Sequence, residues 1–164
     1  MRLADLTQLG CHDRDNCWNF VIELLPSNKA DSVLEHPSTY NPETNSLYTE
    51  PSHEHPTPRV IGLIGAVRAP EVGYMLNADY WGKGYATEAM RAFMPLFFEH
   101  FSGGKYERYE YAEAHTDPEL ESSQNVLSKV GFTLYEKREM DFENPILGWR
   151  DTLVYRMTRY NQAA

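Results

Sequence analysis

The feature that most constrains the fold is a glycine-rich loop between a strand and a helix. Residues 71–76 are predicted as a strand, and the loop Trp81-Gly-Lys-Gly-Tyr-Ala86 follows it closely. Gly82 and Gly84 allow backbone conformations that other residues avoid, and they let a ligand approach without a Cβ in the way. A helix is predicted next because apolar side chains recur at three- and four-residue steps: Ala86, Ala89, Met90, Phe93, Phe97 and Phe101. Since a helix N-terminus favours an anion, the loop predicts a phosphate site.

Three other interpretations of this loop compete with a phosphate site. A Walker loop requires Gly-x-x-x-x-Gly-Lys-Ser/Thr, which Gly82-Lys-Gly-Tyr-Ala-Thr87 does not match. A dinucleotide fingerprint requires Gly or Ala at position 87 and a parallel βαβ unit that opens the domain, whereas Thr87 lies in the middle of the chain. The third interpretation is that the glycines serve only a tight turn, and for an isolated Gly-x-Gly motif that interpretation is the better one.

The remaining pattern predicts an α/β fold on a mixed sheet. A second helix begins at Asp117-Pro118-Glu119, with a capping carboxylate and a proline in the first turn, and ends at Gly131. Pro95 is expected to kink the first helix, and residues 1–17 have only a weak helical pattern. The other strands are predicted at 18–25, 59–68 and 106–115, and a hairpin is predicted from 132–142 and 149–159.

The chain, residues 1–164, is predicted to be a single domain with one long excursion. Residues 26–58 contain six of the ten prolines and have no periodicity, and a structureless loop of that length is uncommon inside a compact domain. His53 and His55 lie in this loop without a third ligand nearby, and the two cysteines, Cys11 and Cys17, match no standard zinc spacing. No metal site is predicted, and the cysteines are interpreted as ordinary thiols.

Charge and hydropathy limit the partners. The formal net charge is −9, which argues against a nucleic-acid partner, because such a domain normally carries a basic stripe. It also argues against an anionic membrane surface. No apolar run approaches the ~20 residues of a membrane span, and the first ten residues lack the apolar core of a secretory signal. A cytoplasmic location is therefore predicted.

Three blocks of sequence carry a resemblance to a known family. Glu71-Val-Gly-Tyr-Met-Leu-Asn-Ala-Asp-Tyr-Trp-Gly-Lys-Gly-Tyr-Ala-Thr-Glu-Ala-Met90 resembles the acetyl-CoA-binding motif of the GNAT acetyltransferases. Ser123-Gln-Asn-Val-Leu-Ser-Lys-Val-Gly-Phe132 resembles the second motif of the branch that contains the ribosomal-protein N-terminal acetyltransferases, and Trp149-Arg-Asp-Thr-Leu-Val-Tyr155 resembles its final strand. The likeness covers residues 18–25 and 59–159. It implies the GNAT fold, with a mixed, mostly antiparallel sheet and flanking helices.

The resemblance implies acetyl-CoA as the cofactor. The pyrophosphate is expected on the amides of residues 81–87, and the pantetheine arm between two splayed strands, 71–76 and 107–115. That arm would pair with the first strand through backbone groups, in the manner of a peptide added to a sheet. The cofactor-binding residues implied in this way are Met75, Leu76, Asn77, Trp81, Gly82, Lys83, Gly84, Tyr85, Ala86 and Thr87. For Lys83, a solvated loop charge is an equally good interpretation.

The resemblance also implies catalytic residues. Glu71 stands near the position of the family's base glutamate, and Ser123 matches a serine that lies near the CoA sulfur. The alternatives are an exposed carboxylate at a strand end and a helix residue that faces water. Glu113 and His115, on the other splayed strand, are reserve candidates, whereas Tyr135 and Asp151 are interpreted as structural.

The implied function is acetyl transfer from acetyl-CoA to a primary amine, either a protein N-terminus or a small molecule, by direct attack on the thioester. Two departures favour the alternative of a non-catalytic acyl-CoA-binding or dimerisation protein. Leu120 replaces the family's usual asparagine, and the 17 residues before Trp18 are too few for the usual first strand and two helices. The first strand and these helices are therefore expected to be missing, and a homodimer would cover the exposed sheet edge.

Overall fold

The computed structural model describes residues 7–9, 17–24 and 59–159. Seven strands, two α-helices and a short 3-10 helix at Ala78–Tyr80 form the described part. The helices are α1, Tyr85–His100, and α2, Glu121–Val130. The strands are β1 Thr7–Leu9, β2 Trp18–Leu24, β3 Arg59–Arg68, β4 Glu71–Leu76, β5 Tyr111–Thr116, β6 Thr133–Asn144 and β7 Gly148–Thr158.

The strands form one sheet in the order β1-β2-β3-β4-β5-β7-β6. Every neighbouring pair is antiparallel except β4 and β5, which run parallel. The parallel connection contains α1, since parallel neighbours need a long crossover whereas antiparallel neighbours need only a turn. The predicted α/β class with a mixed, mostly antiparallel sheet is confirmed.

Both helices pack against the same face of the sheet, here called the helix-covered face. The apolar positions of α1 explain this packing, because Phe93, Phe97 and Phe101 recur along one side of the helix and are fully buried. They meet Phe20 and Ile64 from the central strands in one hydrophobic cluster. Side chains alternate along a strand, so the residues between the core positions lie on the opposite face.

Several predicted boundaries are corrected by the structure. Residues 7–9 form a strand paired with β2 rather than part of a helix, so a short strand does precede Trp18, contrary to the expected loss of the first strand. The strand predicted at 106–115 begins only at Tyr111. Helix α2 begins at Glu121, four residues after Asp117, whose carboxylate accepts a hydrogen bond from the Glu119 amide and binds Arg150.

The structure places one further predicted feature, Pro95, and several others lie outside the described residues. Pro95 lies inside α1, which is continuous from Tyr85 to His100. Cys11, His53, His55 and the whole 26–58 loop lie outside the described part of the chain. Within the part of the chain that the structure describes, neither α1 nor α2 has the length and hydrophobicity of a membrane span.

Close packing between β2 and β3 predicts that alanine substitutions at two neighbouring glycines differ in their effect on protein stability. Gly65 and Gly73 face each other in register, but a Cβ on Gly65 would lie 2.5 Å from the Trp18 carbonyl oxygen and 2.6 Å from the Asn19 Cα. A Cβ on Gly73 would meet nothing within 4 Å. Gly65→Ala should therefore lower the free energy of unfolding by about 1–3 kcal/mol. Gly73→Ala should leave it unchanged or raise it by up to about 1 kcal/mol.

Urea unfolding of the two variants measures this difference. Because both substitutions add one methyl group to a sheet glycine, any general effect of alanine is common to both. Equal stability of the two variants would mean that β2 and β3 are not packed as closely as the structure has them.

Candidate active site

The loop between β4 and α1 contains two glycines in left-handed conformations. Gly82 has φ +70° and Gly84, the N-cap of α1, has φ +85°. These conformations explain why glycine stands at both positions, because a side chain there would be strained. A Cβ at either position would meet nothing within 4 Å. The two glycines therefore border open space.

The start of α1 presents backbone donors toward that space. The Glu88 amide makes the first bond of the helix, to the Gly84 carbonyl, so the Ala86 and Thr87 amides precede the hydrogen-bonded part of the helix. The Ala86 side chain is buried, and so is that of Tyr85. This end of the helix thus offers amides and the positive end of the helix dipole, which together bind anions.

Two side chains stabilise the loop itself. The exposed Trp81 indole donates to the Leu76 carbonyl oxygen at 2.9 Å. The Lys83 ammonium donates to the Asp79 carbonyl oxygen at 2.9 Å and lies 5.4 Å from the centre of the Tyr80 ring. Lys83 therefore contacts its own loop, a third arrangement beside the cofactor contact and the solvated charge considered from the sequence.

A shallow depression of about 430 Å³ lies beside the helix start. It is lined by Gly84, Thr87, Glu88, Arg91 and Lys129. The Arg91 guanidinium donates to the Lys129 carbonyl oxygen at 2.8 Å and so connects α1 to the end of α2. Two cations and one carboxylate thus line a depression that reaches the helix start, and its net positive charge suits an anionic ligand.

Strands β4 and β5 are paired at a single position and separate beyond it. They share one residue pair, Glu71 with Glu113, and the Glu113 amide donates to the Pro70 carbonyl oxygen. Backbone groups alternate sides along a strand, and the Asn77 amide donates to Ile61 of β3. The groups of β4 that face the gap therefore belong to the alternate residues, Tyr74 and Leu76. The predicted splaying of the two strands is present.

On the face opposite the helices, charged side chains adjoin this gap. His115 Nε2 lies 2.8 Å from Glu113 Oε1, and His115 Nδ1 lies 3.8 Å from Glu71 Oε1. Arg156 Nε lies 2.7 Å from Glu113 Oε2. Burial acts to raise the pKa of Glu113, but the hydrogen bonds from His115 and Arg156 outweigh it and hold that pKa below its ordinary value.

On the helix-covered face, hydroxyl groups adjoin the gap. The Tyr74 hydroxyl lies 3.4 Å from Ser123 Oγ and donates a hydrogen bond to it. Burial raises the pKa of Tyr74, although the hydrogen bond to Ser123 acts in the opposite direction, so this tyrosine is a neutral donor. Thr116 Oγ1, at the end of β5, is the buried side-chain polar atom that lacks a partner among the described residues.

A comparison with known families then decides the assignment. Residues 2–133 match the model of the acetyltransferase (GNAT) domain. The chain belongs to the GNAT acetyltransferase family. This GNAT protein matches the model across residues 2–17 and 26–58 as well, which the resemblance of the sequence blocks had left out.

One curated relative and three solved structures are similar to this GNAT protein. It is 34% identical to the uncharacterized protein YkkB of Bacillus subtilis (strain 168) over 91 residues. Those residues make up 56% of this chain and 45% of YkkB. The chain thus spans less than half the length of that relative. Mycobacterium smegmatis RimJ, solved in complex with CoA-disulfide, has a TM-score of 0.54 and 25% identity, over 65% of this chain and 51% of RimJ.

The other two structures establish the fold alone, because their sequence identities are low. The spermidine N-acetyltransferase SpeG K23-Y30 chimera from Vibrio cholerae and hSSAT has a TM-score of 0.64 and 12% identity, over 93% of this chain and 73% of that chain. The ribosomal-protein-S5-alanine acetyltransferase from Vibrio fischeri has a TM-score of 0.57 and 16% identity, over 92% of this chain and 66% of that chain. Ribosomal-protein acetyltransferases are thus among the structural neighbours, as the resemblance predicted.

Most of the predicted site residues fall into two groups in the structure, whereas the backbone groups of Met75 and Asn77 face β3 rather than the gap. The loop residues 81–87 surround the start of α1, and Glu71 and Ser123 lie on opposite faces beside the gap. Asn77, by contrast, serves the turn, since its side chain accepts from the Asp79 amide and its own amide is bonded to β3.

Sequence reasoning missed two cations, Arg91 and Lys129, and one hydroxyl, that of Tyr74. Arg91 was detectable, because it stands seven residues after Gly84 and hence on the same side of the helix. Lys129 and Tyr74 were not detectable, because only the packing of α2 brings Lys129 beside Arg91 of α1 and Ser123 beside Tyr74 of β4.

Proposed function

We propose that the protein is an N-acetyltransferase that moves an acetyl group from acetyl-CoA to a primary amine. The observation that carries this proposal is the pairing of an open two-glycine loop at a helix N-terminus with a gap in the sheet directly beside it. The loop suits a diphosphate, and the gap suits an extended arm with amide groups. A ligand with both parts in one molecule is CoA.

The residues that would hold the cofactor follow from their donors and charges. The amides of residues 81–87 would bind the pyrophosphate, and Arg91 and Lys129 would add positive charge beside it. Backbone groups of β4 on the gap side, those of Tyr74 and the Leu76 amide, would pair with the pantetheine arm as in strand addition, whereas the Leu76 carbonyl oxygen already accepts from Trp81.

The residues on the two faces suit the two proton transfers of the reaction. When bound, acetyl-CoA supplies an acetyl group activated as a thioester. The acceptor must first lose a proton, because an alkylammonium, with an ordinary pKa of about 10.4, has no free electron pair. Glu71 and His115 are available for that proton on one face. On the other face, Ser123 is available as a donor to the departing sulfur.

A separate observation favours the alternative, a protein that binds acyl-CoA without turnover. Leu120 is exposed at the N-cap of α2 and offers no polar side chain where the family usually has asparagine. A missing polar contact at this point would weaken the site for cofactor or acceptor. Enzyme and binder share the cofactor loop, so turnover is what separates them.

Thermal unfolding tests cofactor binding. CoA at 100 times its dissociation constant should add about 2.7 kcal/mol of stability, which raises Tm by about 5–10 °C in a chain of this size. ATP and NAD should not raise Tm, because neither carries a pantetheine arm for the gap. Equal stabilisation by ATP would indicate a general nucleotide site instead.

Turnover is then measured as thiol release from acetyl-CoA over a panel of amines that includes polyamines and alanine-terminated peptides. Release that depends on an amine supports the enzyme. CoA-dependent stabilisation without release on any amine supports the binder. The cytoplasmic location and the homodimer stay predictions, and analytical ultracentrifugation measures the latter.

A further inference from the structure

Three side chains at the mouth of the gap form a row on the face opposite the helices. The His115 ring stands between two carboxylates, with Nε2 2.8 Å from Glu113 Oε1 and Nδ1 3.8 Å from Glu71 Oε1. Residues 113 and 115 share this face because they are two positions apart on β5. The row therefore crosses from β5 to β4 at the point where the two strands separate.

Glu113 determines which ring nitrogen of His115 carries a proton. Its side chain is only 12% exposed, Arg156 Nε lies 2.7 Å from one of its oxygens, and an Arg138 nitrogen lies 3.8 Å from the other. With its pKa held below the ordinary value, Glu113 stays a carboxylate, which only accepts hydrogen bonds. His115 must therefore donate from Nε2, and in the neutral ring that leaves the lone pair on Nδ1.

The lone pair on Nδ1 faces a second acceptor. Glu71 Oε1 and His115 Nδ1 are 3.8 Å apart, and Arg68 is 3.7 Å from the other Glu71 oxygen. Two acceptors that face each other at this distance suit a cationic donor bound between them, and an ammonium group has three N–H bonds to offer. A primary amine in its protonated form has this chemistry.

We propose that His115 is the general base of the acetyl transfer, that Glu113 positions it, and that Glu71 holds the ammonium group of the acceptor. This inference rests on the proposed function and assigns roles within its site. It differs from the family resemblance, which implies Glu71 as the base. The partly exposed Glu71 carboxylate pairs with a neighbouring cation, whereas imidazole is the side chain whose basicity in general best suits proton transfer near neutral pH.

The proton and electron changes follow directly. One N–H bond of the acceptor ammonium breaks, and its proton moves to His115 Nδ1, so that the imidazolium lies between the two carboxylates. The freed electron pair of the nitrogen forms the C–N bond with the acetyl carbon, and the C–S bond breaks with its electrons on sulfur. A second proton from the nitrogen ends on sulfur, which gives the amide and the thiol. His115 then returns its proton to water.

Four variants test these roles in steady-state kinetics at saturating acetyl-CoA. His115→Gln should lower kcat by about 10²–10⁴-fold and remove the acidic limb of the pH profile of kcat/KM. Glu71→Gln should raise KM for the amine more than it lowers kcat and should keep that limb. Glu113→Gln should lower kcat and displace the acidic limb of the pH profile of kcat/KM along the pH axis. Glu110→Gln, which removes an exposed carboxylate that pairs with Arg108 two residues away, should match wild type.

A measurement on the wild-type protein tests the geometry without any variant. The ¹⁵N shifts of the His115 ring should report a proton on Nε2 and a bare Nδ1 in the neutral state. The opposite tautomer would overturn the proposal, and so would a His115→Gln enzyme with wild-type kcat or a Glu71→Gln enzyme that loses the acidic limb. In each of those cases CoA binding and amine acetylation by wild type would leave the proposed function standing. Absence of turnover in wild type would instead refute the proposed function, and this inference with it.

Discussion

Replacing Gly84 by Asp is expected to reduce CoA affinity by about 100-fold or more. The new side chain would enter the open space at the N-terminus of α1, where the proposed pyrophosphate contacts the amides. Its carboxylate would lie within a few ångströms of phosphate charge, and such a pair repels by about 4 kcal/mol at 4 Å near a protein surface. Each 1.4 kcal/mol corresponds to a factor of about ten in affinity. Isothermal titration with CoA measures the loss.

Gly104→Asp is the matched control for that substitution. Gly104 has φ +79°, and a Cβ there would also meet nothing within 4 Å, but it lies beyond the opposite end of α1. The strain of a left-handed aspartate and the added charge are thus common to both variants. Gly104→Asp should bind CoA as wild type does. If Gly84→Asp binds equally well, the loop does not hold the pyrophosphate.

Local patterns were enough to predict the elements around this loop. β4 was expected at 71–76 and is found at Glu71–Leu76, and α1 follows the predicted apolar spacing from Tyr85 onward. Both rest on signals that lie within a few residues of each other, such as helical periodicity and glycines between two elements. The left-handed conformations of Gly82 and Gly84 are also a local property, that of the loop between β4 and α1.

Distant partners explain what the sequence could not provide. Asp117 has every local feature of an N-cap, yet its carboxylate binds the Arg150 guanidinium, 33 residues away on β7, at 2.8 and 2.9 Å. The α2 helix starts only at Glu121, after a turn in which the Leu120 amide donates to the Asp117 carbonyl oxygen. In the same way, the spacing of Glu113 and His115 puts them on one face, but only the register of β5 with β7 brings Arg156 to Glu113. Such pairings depend on the assembled sheet.

The geometry of Ser123 leads to a second large expected effect, on the departure of the thiolate. Because the Tyr74 hydroxyl donates to Ser123 Oγ, the proton of Ser123 itself is free to point into the gap. A hydrogen bond to a charged acceptor is worth about 1.5–3 kcal/mol, so Ser123→Ala should lower kcat by about 10–100-fold. KM for acetyl-CoA should change little, since the contact strengthens only as charge develops on sulfur.

Two further variants separate this role from a structural one. Ser122→Ala removes the same hydroxyl from the adjacent, exposed position of α2 and should leave kcat unchanged. Tyr74→Phe removes the group that orients the Ser123 proton, so its effect should be large in the wild-type background and vanish in the Ser123→Ala background, which a double-mutant cycle detects. If the effects of Tyr74→Phe and Ser123→Ala simply add, the two hydroxyls act independently. A Ser123→Ala enzyme with full kcat would leave protonation of sulfur to water.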